Sequence, residues 1–266
     1  MRIPIPEKDE RGDFLHLTNL QEQSTRDVLR TLDQGAVTGT GSACGPLLGD
    51  IMGTGKTVVA IAVVNTVAKF RRILVICMAP AVEKVWVEHI RRWQTRDLRI
   101  TPIHAENTYD IGTISSGWVI LNYALLKKHH DGLRAKQWDL VIIDEAQALK
   151  TWNSVRTMNV FGGSVGDLDE QRQTYWGRHQ REITPLAGAN SKALVLTGTP
   201  IKNQLDDLSP LVNFLDPASF PDGGGFIGDW EASELSALRS KLRRTVLMAP
   251  LIRAAQRAAT AHPKDR

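Results

Sequence analysis

The stretch Gly49-Asp-Ile-Met-Gly-Thr-Gly-Lys-Thr57 joins a short apolar run to a segment that reads as a helix. A junction of that kind can hold a polyphosphate, because glycines let backbone N–H groups approach the anion and the helix N-terminus adds a favourable dipole. The backbone of Met52, Gly53, Thr54 and Gly55 would form the cradle, Lys56 would reach the β and γ phosphates, and Thr57 would ligate magnesium. Asp50 stands where the generic phosphate-loop pattern has its first glycine. Farther along, Asp144 and Glu145 close the apolar run Leu140-Val-Ile-Ile143. Ligands of open α/β sheets gather at the carboxyl ends of strands. Asp144 is therefore assigned to magnesium, through its water shell, and Glu145 to orienting and deprotonating an attacking water. An isolated Asp-Glu pair usually just ends a strand at the surface; behind a phosphate loop it reads as the second half of a nucleotide site.

These groups need a scaffold that carries strand ends to one edge, and the chain has the pattern for it. Short apolar runs recur at residues 46–48, 72–77, 100–103, 118–121, 140–143 and 193–196. Between them, residues 56–70 and 81–93 have helical length and an apolar stripe. The expectation is an α/β fold, a doubly wound and mainly parallel sheet with helices on both faces. Residues 162–190 break the apolar periodicity with Gly, Gln, Arg and Asp, and read as an insertion. Within them Arg172, Tyr175, Trp176, Arg178, His179 and Arg181 form a basic, aromatic cluster, read as an exposed helix face with a nucleic-acid or partner contact as the alternative. Trp93 and Trp118 are expected in the core. Residues 222–228 read as a flexible loop and 254–266 as a loose tail.

Composition excludes some classes. Of 266 residues, 42% are hydrophobic and 23% charged, the balance of a packed globular chain rather than a disordered or fibrous one. A formal charge of +4 mildly favours a polyanionic partner. Cys44 and Cys77 lie far apart without metal-ligand neighbours, so neither a zinc site nor a disulfide framework is indicated. The opening residues lack a signal-peptide core, and the longest apolar stretch, near residues 58–67, is too short for a bilayer. A cytoplasmic or nucleoid-associated location and no membrane partner are expected.

A third segment makes a family resemblance specific. Asp50-Ile-Met-Gly-Thr-Gly-Lys-Thr57, Asp144-Glu-Ala-Gln-Ala-Leu-Lys150 and Leu196-Thr-Gly-Thr-Pro-Ile-Lys-Asn203 resemble motifs I, II and III of Swi/Snf-type ATPases, in their order and spacing. In that family aspartate occupies the position of Asp50, which accounts for the departure from the generic loop. Val75-Ile-Cys-Met-Ala-Pro80-Ala81, with Trp86 and Glu88, is similar to motif Ia, and Trp118-Val-Ile-Leu-Asn122-Tyr123 to motif Ib or Ic. Ile51 replaces the usual acid of motif I, Gln147 replaces the commoner histidine of motif II, and Ala79-Pro80 alters motif Ia.

The resemblance implies a RecA-like first lobe over residues 20–250, after an extension at 1–19 and before a tail at 251–266, with ATP and magnesium as cofactors. It implies catalytic roles for Lys56 and Glu145, and an adenine-reading glutamine near Gln23. Coupling would run through Gln147, Thr197, Gly198, Thr199 and Pro200. A duplex-DNA track would be lined by Pro80, Ala81, Asn122, Tyr123, Thr197 and Thr199, mainly against backbone phosphates. Residues 241–250 resemble the close of the first lobe, so a second RecA-like lobe is expected from a partner, and the isolated chain is expected to be a poor ATPase. A nucleotide-gated regulatory module and a generic helicase lobe remain the alternatives.

Overall fold

Successive side chains of a strand point to opposite faces, and here both faces are covered by helices. The computed structural model describes residues 2–34, 45–106, 110–149, 151, 154–164, 182–183, 185–186, 191–198, 208–215 and 246–247. In chain order these form α1 (Asn19–Gln34), β1 (Leu47–Leu48), α2 (Lys56–Thr66), β2 (Arg72–Cys77), a π-helical stretch (Val82–Val87) that runs into α3 (Glu88–Trp93), β3 (Ile100–Pro102), β4 (Gly117–Asn122), α4 (His130–Ala135), β5 (Leu140–Ile143), α5 (Val155–Phe161), β6 (Gly163–Ser164), β7 (Glu182–Ile183), β8 (Lys192–Leu196), α6 (Ser209–Leu215) and β9 (Val246–Leu247). Seven strands make one sheet in the order β3-β4-β2-β5-β8-β1-β9. Every pairing in it is parallel. The doubly wound α/β fold expected from the sequence is the fold observed.

Each central strand divides its side chains between two cores. Ile73, Val75 and Cys77 of β2 join Leu140 and Ile142 of β5 beneath Val28 of α1, Val59 and Val63 of α2 and Trp86 and Ile90 of the helix after β2. Leu74, Ile76, Val141 and Ile143 face the other way, toward Leu133 of α4, Val160 of α5 and Leu211 of α6. Residues Val58 to Asn65 of α2 are buried all round, so this helix has no solvent face to explain. Its outer side is covered by residues 2–18, where Ile3 and Leu17 meet Val58 and Ala62. Asn65 fastens that layer: its amide donates to the carbonyls of Pro4, 3.2 Å, and Trp93, 2.8 Å, while its oxygen accepts from the Thr95 N–H, 3.0 Å.

The first helix begins with a capping box. The Thr18 N–H donates to Gln21 Oε1, 2.9 Å, and the Gln21 N–H to Thr18 Oγ1, 3.3 Å. α2 stops at Thr66, four residues before the expected end, because the Arg96 guanidinium donates to the carbonyls of Val64, Val67, Ala68 and Phe70 and stabilises the turn that leaves the helix. The stretch read as an insertion is described only at its two ends, where β6 pairs antiparallel with β7. Its basic cluster, Cys44 and the segments at 222–228 and 254–266 lie outside the described residues. No described helix is long and apolar enough to cross a membrane.

At the amino edge, Asp139 ties β5 to β2. One carboxylate oxygen accepts from the backbone N–H groups of Arg71 and Arg72, 2.9 and 2.8 Å, and the other from the Arg72 guanidinium, 2.7 Å. Burial pushes this carboxyl up, but the Arg72 hydrogen bond and the two backbone bonds outweigh it and hold the group below its usual range. A depressed carboxylate stabilises the fold above its unfolded value, about pH 4, and that contribution is lost as pH falls through the folded value. D139A is expected to cost about 2 kcal/mol at neutral pH, a discounted value for charged hydrogen bonds at a partly exposed site. Denaturant melts at pH 7 and pH 3 check it: the gap between parent and variant should narrow at the lower pH.

Candidate active site

Three neighbouring strands deliver the candidate residues to one place. In the sheet β8 lies between β5 and β1, with Leu48 beside Leu196 and Ile143 beside Val195. The turns after β1, β5 and β8 therefore open side by side at the carboxyl edge. They carry Asp50 to Thr57, Asp144 with Glu145, and Thr197 with Gly198.

The first turn is shaped by left-handed glycines. Gly53 and Gly55 have φ of 82° and 80°, a region that other residues enter only with strain. Gly55 also has a packing reason, since a Cβ there would sit 2.3 Å from the Gln21 amide nitrogen. The first turn of α2 has no side-chain cap and no acidic residue, so its N–H groups meet no protein anion at the cap. Thr54 Oγ1 donates to the Ile51 carbonyl, 2.9 Å, which braces the loop. Lys56 Nζ donates to the carbonyls of Asp50, 2.8 Å, and Ile51, 3.0 Å, so its ammonium is gathered over the loop. Burial draws the Lys56 pKa down, against the opposing pull of Glu145, Asp144 and Asp50. Thr57 follows as the second helical residue, half-buried. Ile51 and Met52 stand exposed at the tip. Asp50 is buried, and its carboxylate accepts from the Ser24 hydroxyl of α1, 3.1 Å. It acts on the loop's anchorage rather than facing solvent.

Asp144 is nearly enclosed. Its Oδ2 accepts from the Trp86 indole, 2.9 Å, and its Oδ1 from the Glu145 N–H, 3.0 Å. Burial pushes the Asp144 carboxyl up, opposed by the Trp86 hydrogen bond. Glu145 has φ of 52°, left-handed backbone in a residue with a side chain. That conformation costs about 1–2 kcal/mol, a strain seen most often at functional positions. Gln147 uses both ends of its amide: its nitrogen donates to Glu145 Oε2, and its oxygen accepts from Thr197 Oγ1 at 2.7 Å. The second and third turns are thus connected through Gln147, the residue that stands in for histidine. Gly198 is held close for a separate reason, because a Cβ on it would lie 2.6 Å from Met52 Cγ.

The donor set fits a magnesium polyphosphate: a cationic lysine, an adjacent hydroxyl, two carboxylates and an uncapped helix N-terminus converge. Three of the expected residues lie elsewhere than expected. Gln23 is exposed and donates to Asp27, 3.0 Å, on the outside of α1, whereas Gln21 donates to the Thr54 carbonyl, 3.2 Å, and touches the loop. Helical geometry decides this, since residues two apart face different directions. Tyr123 does not face solvent: it is buried, and its hydroxyl donates to the Asp144 carbonyl, 2.7 Å. Burial also raises its phenol pKa. Thr197 is fully buried and serves the link to Gln147. Pro80 is exposed, with Ala81 and Asn122 half-buried beside it at the carboxyl ends of the paired strands β2 and β4. The Asn122 side chain accepts from the Ala124 N–H and starts the next turn. Trp118 is core, as expected. Thr199 and Pro200 lie outside the described residues.

Sequence reasoning missed Gln21 and Ser24. The Thr18-x-x-Gln21 capping pattern was the available signal for Gln21; a lone serine on a helix gives none.

A parallel sheet with a glycine-rich strand-to-helix turn and acids on a nearby strand end defines a RecA-like nucleotide-binding lobe. The particular lineage comes from comparison: the chain belongs to the SNF2-related domain family, whose profile matches residues 6–162 and 168–256. It is 27% identical over 198 residues to Protein CHROMATIN REMODELING 19 of Arabidopsis thaliana, covering 66% of this chain and 23% of that protein. It is 27% identical over 199 residues to the ISWI chromatin-remodeling complex ATPase ISW1 of Saccharomyces cerevisiae, covering 71% of this chain and 15% of that protein. The chain thus spans less than a quarter of the length of these relatives. Among solved structures, the Sulfolobus solfataricus SWI2/SNF2 ATPase core in complex with dsDNA shares the fold at a TM-score of 0.64 and 21% identity, over 93% of this chain and 46% of that one.

Proposed function

We propose that this lobe binds Mg-ATP at the carboxyl edge of its sheet and, with a second RecA-like lobe, couples hydrolysis to movement along duplex DNA. The observation that carries the reading is the sheet order, which sets Lys56, Asp144 and Glu145 around one loop. Lys56 and the N–H groups of Met52 to Thr57 bind the phosphates; Thr57 and Asp144 hold the metal; Glu145 positions and deprotonates water. Magnesium held there would supply positive charge against that developing on the phosphates. Gln21, against the loop at Thr54, replaces Gln23 as the residue placed to sense the nucleotide. The path from the site toward DNA runs through Glu145, Gln147 and Thr197, and Thr199 and Pro200 extend it in the proposal. Pro80, Ala81 and Asn122 form one wall of the track.

An arginine supplied across the lobes contributes about 10³–10⁵ in rate in phosphoryl transfer. ATP turnover of the purified chain, with and without duplex DNA and with and without an added second lobe, tests the reading. Slow basal turnover is expected, raised by DNA once the second lobe is present. DNA affinity should be insensitive to sequence and fall steeply with salt, as backbone-phosphate binding does. Nucleotide bound without turnover under every condition would make the chain a nucleotide-gated binding module instead, and sequence-selective binding that survives high salt would end the translocase reading.

A further inference from the structure

We infer that Trp86 is a positioning residue for the metal: its indole N–H fixes the carboxylate of Asp144 in the orientation that receives magnesium. The inference rests on the reading of Asp144 as a metal ligand given above. Trp86 is fully buried on the π-helical stretch after β2, 58 residues from Asp144 in sequence, and its Nε1 donates to Asp144 Oδ2 at 2.9 Å. Since the Glu145 N–H already holds Oδ1, each carboxylate oxygen has one donor and the plane of the group is set. Each oxygen keeps a further lone pair for a water of the metal shell. An indole N–H suits the task because it only donates and cannot itself replace Asp144 as a ligand.

Among the described residues, the other fully enclosed tryptophans show that this is a choice rather than a consequence of burial. Trp138 donates to the Leu133 carbonyl, 2.9 Å, an ordinary backbone partner. Trp118 is equally buried, and its Nε1 has no partner among the described residues. Only Trp86 of these three spends its donor on a carboxylate at the site. The π-helical backbone from Val82 to Val87 matters too, since a wider turn rotates the later residues about the helix axis, and such turns recur at functional positions. It begins just beyond exposed Met78 and Pro80, so one helix spans from the proposed track to the metal ligand.

Groups that orient a metal ligand typically alter metal affinity about 10- to 100-fold when removed. The test measures binding of a non-hydrolysable ATP analogue across a magnesium titration and again in EDTA. The variants are Trp86→Phe, Asp144→Asn, and the full chain carrying benzothienylalanine at position 86, which keeps the indole's shape with sulfur in place of N–H. With benzothienylalanine the magnesium midpoint should rise about 10- to 100-fold, while EDTA affinity and melting temperature stay near those of the parent. Trp86→Phe should move the midpoint the same way, and if it fails to fold the shape-matched replacement still decides. An unchanged midpoint with the isostere, while Asp144→Asn loses its magnesium dependence, would reduce Trp86 to a space-filling residue and overturn the inference. Retained magnesium dependence in Asp144→Asn would overturn the ligand reading itself, and the inference with it.

Discussion

Lys56→Ala is expected to weaken nucleotide binding by about one to two orders of magnitude, the value of a charge-assisted contact of about 1.5–3 kcal/mol. The surroundings push the effect upward. The ammonium lies within electrostatic reach of Glu145, Asp144 and Asp50, so it offsets three carboxylates before any phosphate arrives. Without it, a polyanion meets acidic groups and backbone dipoles alone. The fold should survive, because Nζ bonds only to two loop carbonyls, Asp50 and Ile51, and Lys56 is half-buried. A fluorescent-nucleotide titration paired with a thermal melt separates the two effects. Parental affinity in a normally folded variant would remove Lys56 from the proposed site.

Glu145→Gln should have the complementary signature, with Mg-ATP affinity retained and turnover reduced by about 10²–10⁴, the usual contribution of a general base. The left-handed backbone at Glu145 is fixed by its own peptide, since its N–H donates to Asp144 and its carbonyl accepts from Ala148, 3.0 Å. Glutamine therefore inherits the position. Its side-chain oxygen can still accept from Gln147, so the bridge to Thr197 persists while the basic atom is gone. Single-turnover measurements at saturating nucleotide distinguish a slowed chemical step from lost binding. Undiminished turnover would assign the base elsewhere.

The strands at residues 72–77 and 140–143 were readable to the residue, because buried parallel strands are unbroken β-branched and aliphatic runs. Lys56, Asp144 and Glu145 could be singled out too, since the acids follow the apolar run of β5 and Lys56 opens α2 behind a glycine-rich turn. What the sequence concealed depends on partners far along the chain. The early stop of α2 is set by Arg96, and the burial of Tyr123 by the Asp144 carbonyl. β9 escaped notice because two residues carry no period, and only its pairing with β1 marks it as a strand. Gln21 and Gln23 have the same side chain; which one reaches the loop is a matter of helical phase, fixed here by the cap at Thr18.

The covering layer at residues 2–18 also bears on synthesis. They are made before the groups that hold them: Asn65, 61 residues beyond Pro4, then Arg92, whose guanidinium pairs with Asp9 at 3.0 Å, and the Trp93 carbonyl. At about 5–20 residues per second, roughly three to twelve seconds pass between the synthesis of Pro4 and that of Asn65. Ile3 and Leu17 stay wet for that interval, and docking waits for α2 and α3 to assemble. This covering layer is thus made before the helices it packs on and becomes structure after them.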